Sequence, residues 1–279
     1  MKDELGERMK SNYEDRTRFY LPRRTYTVIR LDGKAFHTFT KGFKRPFDLD
    51  LMKMMDDTAI ELCESIQGVK MAFVQSDEIT LVLTDFESAQ TDAWFDGNIQ
   101  KMASISASIA TAAFNQKITD AWITAVDEGK HVDMKDKLFK KTGNIKRAIF
   151  DSRVFSISDL NEVVNNLIWR QQDATRNSIQ MAAQSMYSHK ELNQKNTSEL
   201  QEMIFQKGTN WNDYPVGFKR GRIILKEKSE MVRVKFSVPE QTVERVKWGV
   251  FEPPIFTQDK NYILSRLPRI DGMIVGGLG

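Results

Sequence analysis

Residues 69–84 read Val69-Lys70-Met71-Ala72-Phe73-Val74-Gln75-Ser76-Asp77-Glu78-Ile79-Thr80-Leu81-Val82-Leu83-Thr84. Two short apolar runs, Val69–Gln75 and Ile79–Thr84, flank the polar hinge Ser76-Asp77-Glu78, which predicts a β-hairpin with an acidic tip. Upstream, Tyr26 to Leu31 is another short β-branched run that ends at Asp32-Gly33, a strand followed by a turn. Between the two, Pro46 and Asp48 prepare a helix start. Leu51, Met55, Ala59, Leu62 and Ile66 then recur at helical spacing until Gly68 stops them. From Glu87 to about Asn115 the pattern is helical again. Its second half is rich in small residues (Ala103, Ser104, Ser106, Ala107, Ser108, Ala110) that let a helix lie close to a sheet. A strand near Arg147–Ile157 and a long helical stretch from Leu160 to His189 follow. The order β-α-β-β-α-β is that of the ferredoxin-like split unit, an α+β fold with an antiparallel sheet and helices on one face.

That topology places two distant carboxylates together. The third strand of the split unit lies between the first and second, so the end of strand one and the hairpin tip share one edge of the sheet. Asp32 and Asp77 therefore meet on one rim, where they can hold a pair of Mg²⁺ ions for phosphoryl transfer. Mg²⁺ takes one or two carboxylates, backbone oxygens, water and substrate phosphates, so the Gly33 carbonyl is a candidate third donor. The amides from Lys34 through Ala35, Phe36 and His37 can cradle phosphates if a helical turn begins there. Taken singly, Asp-Gly after a strand and Asp-Glu at a hairpin tip are also ordinary turns. No Walker loop, Rossmann fingerprint or zinc signature supports another nucleotide fold.

Composition narrows the class without naming it. Of 279 residues 41% are apolar and 28% charged, ordinary globular usage for one large domain or a core with an appendage. Cys63 is the only cysteine, and His37, His131 and His189 are scattered, which excludes an internal disulfide and a Cys/His metal site. The apolar runs are too short to span a bilayer and no secretory segment is visible, so a cytoplasmic protein without membrane contact is expected. The net charge of +3 is small, but basic residues cluster at Arg16–Arg24, Lys135–Arg147 and Lys219–Lys228. Any one cluster is commonly a solvated face; three point toward a polyanion. Toward the C-terminus, Asn210–Asp213 marks an exposed loop. Ile223–Leu225 and Val232–Phe236 read as two strands joined by the charged turn Lys226–Met231, with an irregular tail from Pro253-Pro254. The expected division is a core with an N-terminal arm over 1–218 and an extension over 219–279.

Four motifs in order over about residues 26–215 carry a resemblance. Arg30-Leu31-Asp32-Gly33-Lys34-Ala35-Phe36-His37 resembles the Arg-Leu-Asp-Gly-x-x-Phe-His motif of the tRNA-His guanylyltransferase family. Gln75-Ser76-Asp77-Glu78 is similar to that family's second metal motif, Phe150-Asp151-Ser152-Arg153 to its Phe-Asp-Gly-Arg, and Trp169-Arg170-Gln171 to its Trp-Arg-Gln. The resemblance implies a polymerase- or cyclase-like palm that works in the 3′-to-5′ direction on the 5′ end of tRNA. The 5′-monophosphate is first activated by ATP, giving an adenylylated end, and the 3′-hydroxyl of an incoming nucleotide, normally GTP, then attacks it and AMP leaves. It further implies two Mg²⁺ on Asp32, Gly33 and Asp77, a nucleotide site of residues 32–37 with Ser76, and triphosphate contacts from Lys101 and Arg153. Arg30, Arg176 and Asn177 fall to RNA binding or activation, and a homotetramer is implied.

One departure shapes the expected activity. Where eukaryotic members carry His-Ile-Asn-Asn, Thr175-Arg176-Asn177-Ser178 stands here, which resembles the guanylyltransferase-like proteins of bacteria, archaea and phages. Templated repair of truncated tRNA 5′ ends is the leading expectation. Non-templated guanylate addition to tRNA-His, a palm-type nucleotidyl cyclase and a non-catalytic RNA binder are the alternatives.

Overall fold

A computed structural model describes residues 3–88, 90–233 and 242–270, with side chains of 228–233 and 242–245 left aside. In chain order its elements are α1 (Glu4–Met9), β1 (Tyr26–Gly33), α2 (Phe36–Phe39), α3 (Leu49–Ser65), β2 (Val69–Gln75), β3 (Glu78–Leu83) and α4 (Ile99–Asp127). They continue with α5 (His131–Leu138), β4 (Phe150–Ile157), α6 (Leu160–Gln184), α7 (His189–Leu192), α8 (Thr197–Gln206), α9 (Val216–Arg220), β5 (Arg222–Arg233), β6 (Thr242–Phe251) and α10 (Asn261–Leu264).

The strands form one antiparallel sheet in the order β4-β1-β3-β2-β5-β6. Its first four members reproduce the ferredoxin-like order expected from the sequence. Successive side chains of a strand face opposite ways, and the core divides accordingly. Ile29, Leu31, Ala72, Val74, Ile79 and Leu81 pack beneath α3 and α4. Tyr26, Met71, Phe73 and Val82 pack against Val163, Val164 and Leu167 of α6 on the other face. The two helices of the split unit share one face as expected, and α6 covers part of the second.

Small side chains bring α4 close to the sheet. The Ser106 and Ser152 hydroxyls lie 2.8 Å apart, the Thr111 hydroxyl accepts from the Phe150 amide at 3.1 Å, and the Asn115 amide group both donates to and accepts from Ala148. The helix begins at Ile99, twelve residues later than its pattern predicts, with Asn98 capping Lys101 N–H at 3.0 Å. Acidic residues hold the intervening loop instead. Arg23 donates to Asp85, Asp92 and Asp96, and Phe95 and Asp96 take left-handed φ values of 49° and 54°. In the N-terminal arm α1 buries no side chain.

The C-terminal segment differs from its sequence reading. Lys226–Met231 is not a turn; it lies within β5, a 12-residue strand that pairs with β2 on one side and β6 on the other. Charged residues are tolerated there because the β5–β6 ribbon is partly solvent-facing and self-neutralising. Lys247 lies 3.4 Å from Glu227, and Lys226 sits 5.1 Å from the Trp248 ring. Residues 234–236 of the other expected strand, and the tail from Asp271, lie outside the described residues.

Candidate active site

Strand β1 runs straight through Asp32 to Gly33, and the turn comes two residues later than expected, at Lys34-Ala35. Asp32 lies in register between Glu78 of β3 and Asp151 of β4. The Gly33 amide then donates to the Asp77 carbonyl at 3.1 Å, which ties the end of β1 to the hairpin tip. Ser76 adopts a left-handed φ of 46° to make that tip. The two carboxylates of the sequence reading are thereby brought to one rim.

Their electrostatics are those of a site awaiting positive charge. Burial, and then the charge of Asp32, pushes the Asp77 carboxyl up to about 6 against the pull of hydrogen bonds from its own backbone and Ser76. Asp32 is also raised, first by burial and then by Asp151 and Glu78, with Arg153 and Arg30 offsetting part of the effect. Among the described residues neither carboxylate has an ion-pair partner. Nor do three His, Cys, Asp or Glu side chains gather there into a metal cage. Two unpaired, mutually repelling carboxylates beside a backbone carbonyl fit Mg²⁺, which keeps waters and substrate oxygens in its shell.

Beside Asp77 opens a cavity of about 510 Å³, within the range of nucleotide-sized pockets. Ala35, left-handed at φ 55°, starts the short α2 that forms its near wall. The Lys34 amide is consumed by the Ile149 carbonyl at 2.8 Å, whereas those of Ala35, Phe36 and His37 have no protein acceptor among the described residues. Three consecutive amides are therefore available to an anion, one fewer than expected. Gly33 is required for a reason the sequence did not show. A Cβ there would stand 2.3 Å from the Phe36 ring, which packs among Phe39, Phe114 and Phe150.

The Trp169-Arg170-Gln171 segment braces the site. Buried Arg170 pairs with Glu78 at 2.7 Å and Asp173 at 3.0 Å, and lies 3.7 Å over the Trp169 ring. Gln171 donates to the Pro254 carbonyl and accepts from the Phe256 amide, both at 2.8 Å, and so fastens the chain's last segment to α6.

Of the residues singled out in the sequence, Gly33, Ala35, Phe36, His37, Ser76, Asp77 and Asn177 line the cavity; Asp32 does not line it and adjoins it only through its neighbour Gly33. Arg30 and Arg153 are cross-strand neighbours on the Asp32 face of the sheet, outside the cavity. Lys34 is exposed beyond its rim, and Arg176 is held by Asp173 at 2.9 Å. Lys101 is not brought to the site. It sits over Phe95 in the first turn of α4, about 15 Å along the helix from Thr111 at ~1.5 Å per residue. Thr40, Lys44, Arg45, Phe47, Asp48 and Arg222 line the cavity and were missed. The basic run Lys41–Arg45 directly after the phosphate-cradle segment was the available signal for two of them, Lys44 and Arg45.

Both the sequence and the fold are shared with known proteins. Residues 6–158 match the family described as Thg1: tRNAHis guanylyltransferase. A bacterial tRNA(His) guanylyltransferase (Thg1)-like protein in complex with ATP superposes with a TM-score of 0.76 at 36% identity, over 94% of this chain and 97% of that one. The structure of a bacterial Thg1-like protein in complex with GTP gives 0.73 at 36% identity, over 94% and 98%. The tRNA(His) guanylyltransferase of Saccharomyces cerevisiae is 28% identical over 75% of this chain and 85% of its own.

Proposed function

The chain belongs to the tRNA(His) guanylyltransferase family, and from that premise we propose that it extends the 5′ end of tRNA in the 3′-to-5′ direction, repairing truncated ends by templated addition. The observation that carries the reading is the pair Asp32 and Asp77, joined at one rim without a cation partner beside a nucleotide-sized cavity. Two Mg²⁺ held by Asp32, Asp77 and the Gly33 carbonyl would supply charge neutralisation at the phosphates and acidify the attacking hydroxyl.

The chain's own groups divide the remaining work between the two sides of that rim. On the cavity side, the amides of Ala35, Phe36 and His37 and the cations Lys44 and Arg45 bind the triphosphate. On the sheet side, Arg30 and Arg153 flank Asp32 and take the 5′ phosphate of the RNA. Arg170 holds Glu78 and hence the hairpin tip in place.

Templated choice is supported by the segment Thr175–Ser178. Arg176 is held to Asp173, Asn177 faces the cavity, and Ser178 is buried under the Lys219 carbonyl. None of this forms a dedicated guanine reader, which leaves selection to pairing with the 3′ strand of the acceptor stem. A homotetramer in the cytoplasm accompanies this reading. The exposed Leu5, Tyr13 and Phe19 of the N-terminal arm supply apolar surface for contact between copies, and no helix among the described residues can cross a membrane.

The test uses a tRNA lacking its first nucleotide, labelled at its 5′-monophosphate, with ATP, Mg²⁺ and each nucleoside triphosphate in turn. Incorporation of the nucleotide that pairs with the 3′ strand is expected. Guanylate added to tRNA-His alone, whatever stands opposite, would replace repair by the non-templated activity.

A further inference from the structure

Two of the six cations in the Lys135–Arg147 cluster do not face solvent. Lys137 is 7% and Lys146 8% exposed, whereas Lys135, Lys140, Lys141 and Arg147 lie at the surface. Both buried ammoniums reach to one segment, residues 41–48, which carries Lys44 and Arg45 to the cavity.

At the front of that segment, Lys146 Nζ donates to the Lys41 carbonyl. It also donates to the carbonyls of Asp136 at 3.3 Å and Lys137 at 2.6 Å. Three ammonium hydrogens thus meet three carbonyl oxygens, two of them in the last turn of α5, where a cation is favoured. Gly42 follows with a left-handed φ of 98°, and a Cβ there would stand 2.2 Å from the Asp136 carbonyl oxygen. Backbone packs on backbone at this point, with no room for a side chain. At the far end of the segment, Lys137 Nζ pairs with Asp48 at 3.0 Å and Asp50 at 2.5 Å. Asp48 in turn accepts from the Lys44 amide at 2.8 Å and from the amides of Asp50 and Leu51. Between the two anchors, the buried Phe43 ring lies 5.5 Å from Lys146 Nζ and 5.9 Å from Lys137 Nζ.

We propose that Lys137 and Lys146 are positioning residues for the nucleotide: they hold segment 41–48 in the shape that presents Lys44 and Arg45 to a triphosphate, and they do not contact RNA. The proposal rests on the cavity-side triphosphate reading above and adds what fixes that site in advance. A loop already held in place loses little further conformational freedom when its ligand arrives. Releasing it should weaken binding and leave unchanged the chemical step, which falls to Asp32 and Asp77.

The experiment is equilibrium dialysis of the full chain with Mg²⁺ and ATP, paired with turnover of the 5′-truncated tRNA at saturating nucleotide. Lys146→Met keeps the aliphatic stem and removes the ammonium. It is expected to raise the Kd for ATP about fivefold, with kcat within about twofold of the unaltered chain. In a Lys44→Ala/Arg45→Ala background, itself weaker, the same change should have no further effect, because it acts through those two side chains. Lys137→Met is the milder second variant, since Asp48 keeps its three amide donors. About a threefold loss is expected there, and Lys137→Arg should restore binding by remaking the ion pair. The affinity for tRNA and its salt dependence should not move in either variant, since a buried lysine neutralises no phosphate.

An unchanged Kd for ATP in the folded variants would overturn the proposal. So would an equal loss in the Lys44→Ala/Arg45→Ala background, the sign of a general loosening of the fold. A reduced salt slope for tRNA in either lysine variant would return these residues to the RNA. If Lys44→Ala/Arg45→Ala binds ATP as tightly as the unaltered chain, the triphosphate reading itself fails, and the positioning role with it.

Discussion

Asp77 and Glu78 are neighbours at one hairpin tip, yet the fold treats them oppositely. Glu78 is buried against Arg170 at 2.7 Å and accepts from Gln75 at 3.2 Å, so its charge is answered within the protein. Among the described residues Asp77 has no cation partner; it faces Asp32 and is held up at about 6. An acid closed on an arginine keeps a shape; an acid set beside a second acid is available to positive charge that a substrate complex brings. Removing the first should therefore damage the fold, and removing the second should damage only the chemistry.

The strongest way to break this contrast is Asp77→Ala or Asp32→Ala. Each is expected to lower turnover on a 5′-truncated tRNA by about 10³-fold or more, the scale of losing preorganised charge at the reacting phosphate. Thermal melting should show an intact fold. Near-normal rates in either variant would remove the two-carboxylate site from consideration. Arg170→Met reverses the pattern. It strands Glu78 as a buried charge and is expected to cost about 3 kcal/mol in urea unfolding, since breaking a buried pair leaves one ion uncompensated. A silent Arg170→Met would show that the pair is ornamental.

The next contrast is one of pH. Asp77 ordinarily titrates near 3.8 and is raised to about 6 in the folded chain, so between those values the folded state binds more protons than the unfolded one. Stability of the metal-free protein should accordingly rise as pH falls from about 6 toward 4, and be lowest on the alkaline side. Asp77→Asn should flatten that profile and stabilise the metal-free protein at pH 7.5 by about 1–2 kcal/mol, the two-unit shift discounted for partial exposure. Mg²⁺ should raise the melting temperature of the unaltered protein and not of this variant. A flat profile in the unaltered protein would mean that neither burial nor the charge of Asp32 holds the Asp77 carboxyl up.

How much of this was legible depended on whether the signal was local. Periodicity and turn chemistry were enough for the split unit, and its topology was enough to bring Asp32 to Asp77 across 45 positions. What the pattern could not show were choices settled by long-range partners. Arg23 captures the acids of the loop before α4 and delays that helix to Ile99. Pairing with β2 and β6 turns the charged Lys226–Met231 stretch into strand. Arg222 and Phe218 reach the cavity only because β5 joins the sheet beside β2, far from any motif.

The same distinction yields the smallest and most discriminating comparison, between two lysines. The family resemblance implies a triphosphate contact for Lys101 and none for Lys44. The fold puts Lys44 at the cavity, its amide fixed on Asp48 at 2.8 Å, and leaves Lys101 at the remote end of α4. An exposed lysine that meets a phosphate contributes about 1 kcal/mol, so Lys44→Ala should raise the nucleotide KM about fivefold. Lys101→Ala should leave it within about twofold, because a charge ~15 Å along the helix lies beyond a Debye length at physiological salt. Steady-state kinetics at two salt concentrations separates the cases, since a direct phosphate contact weakens as salt rises. If Lys101→Ala is the damaging change, the triphosphate lies along α4 rather than over α2, and the cavity beside Asp77 must hold another part of the reaction.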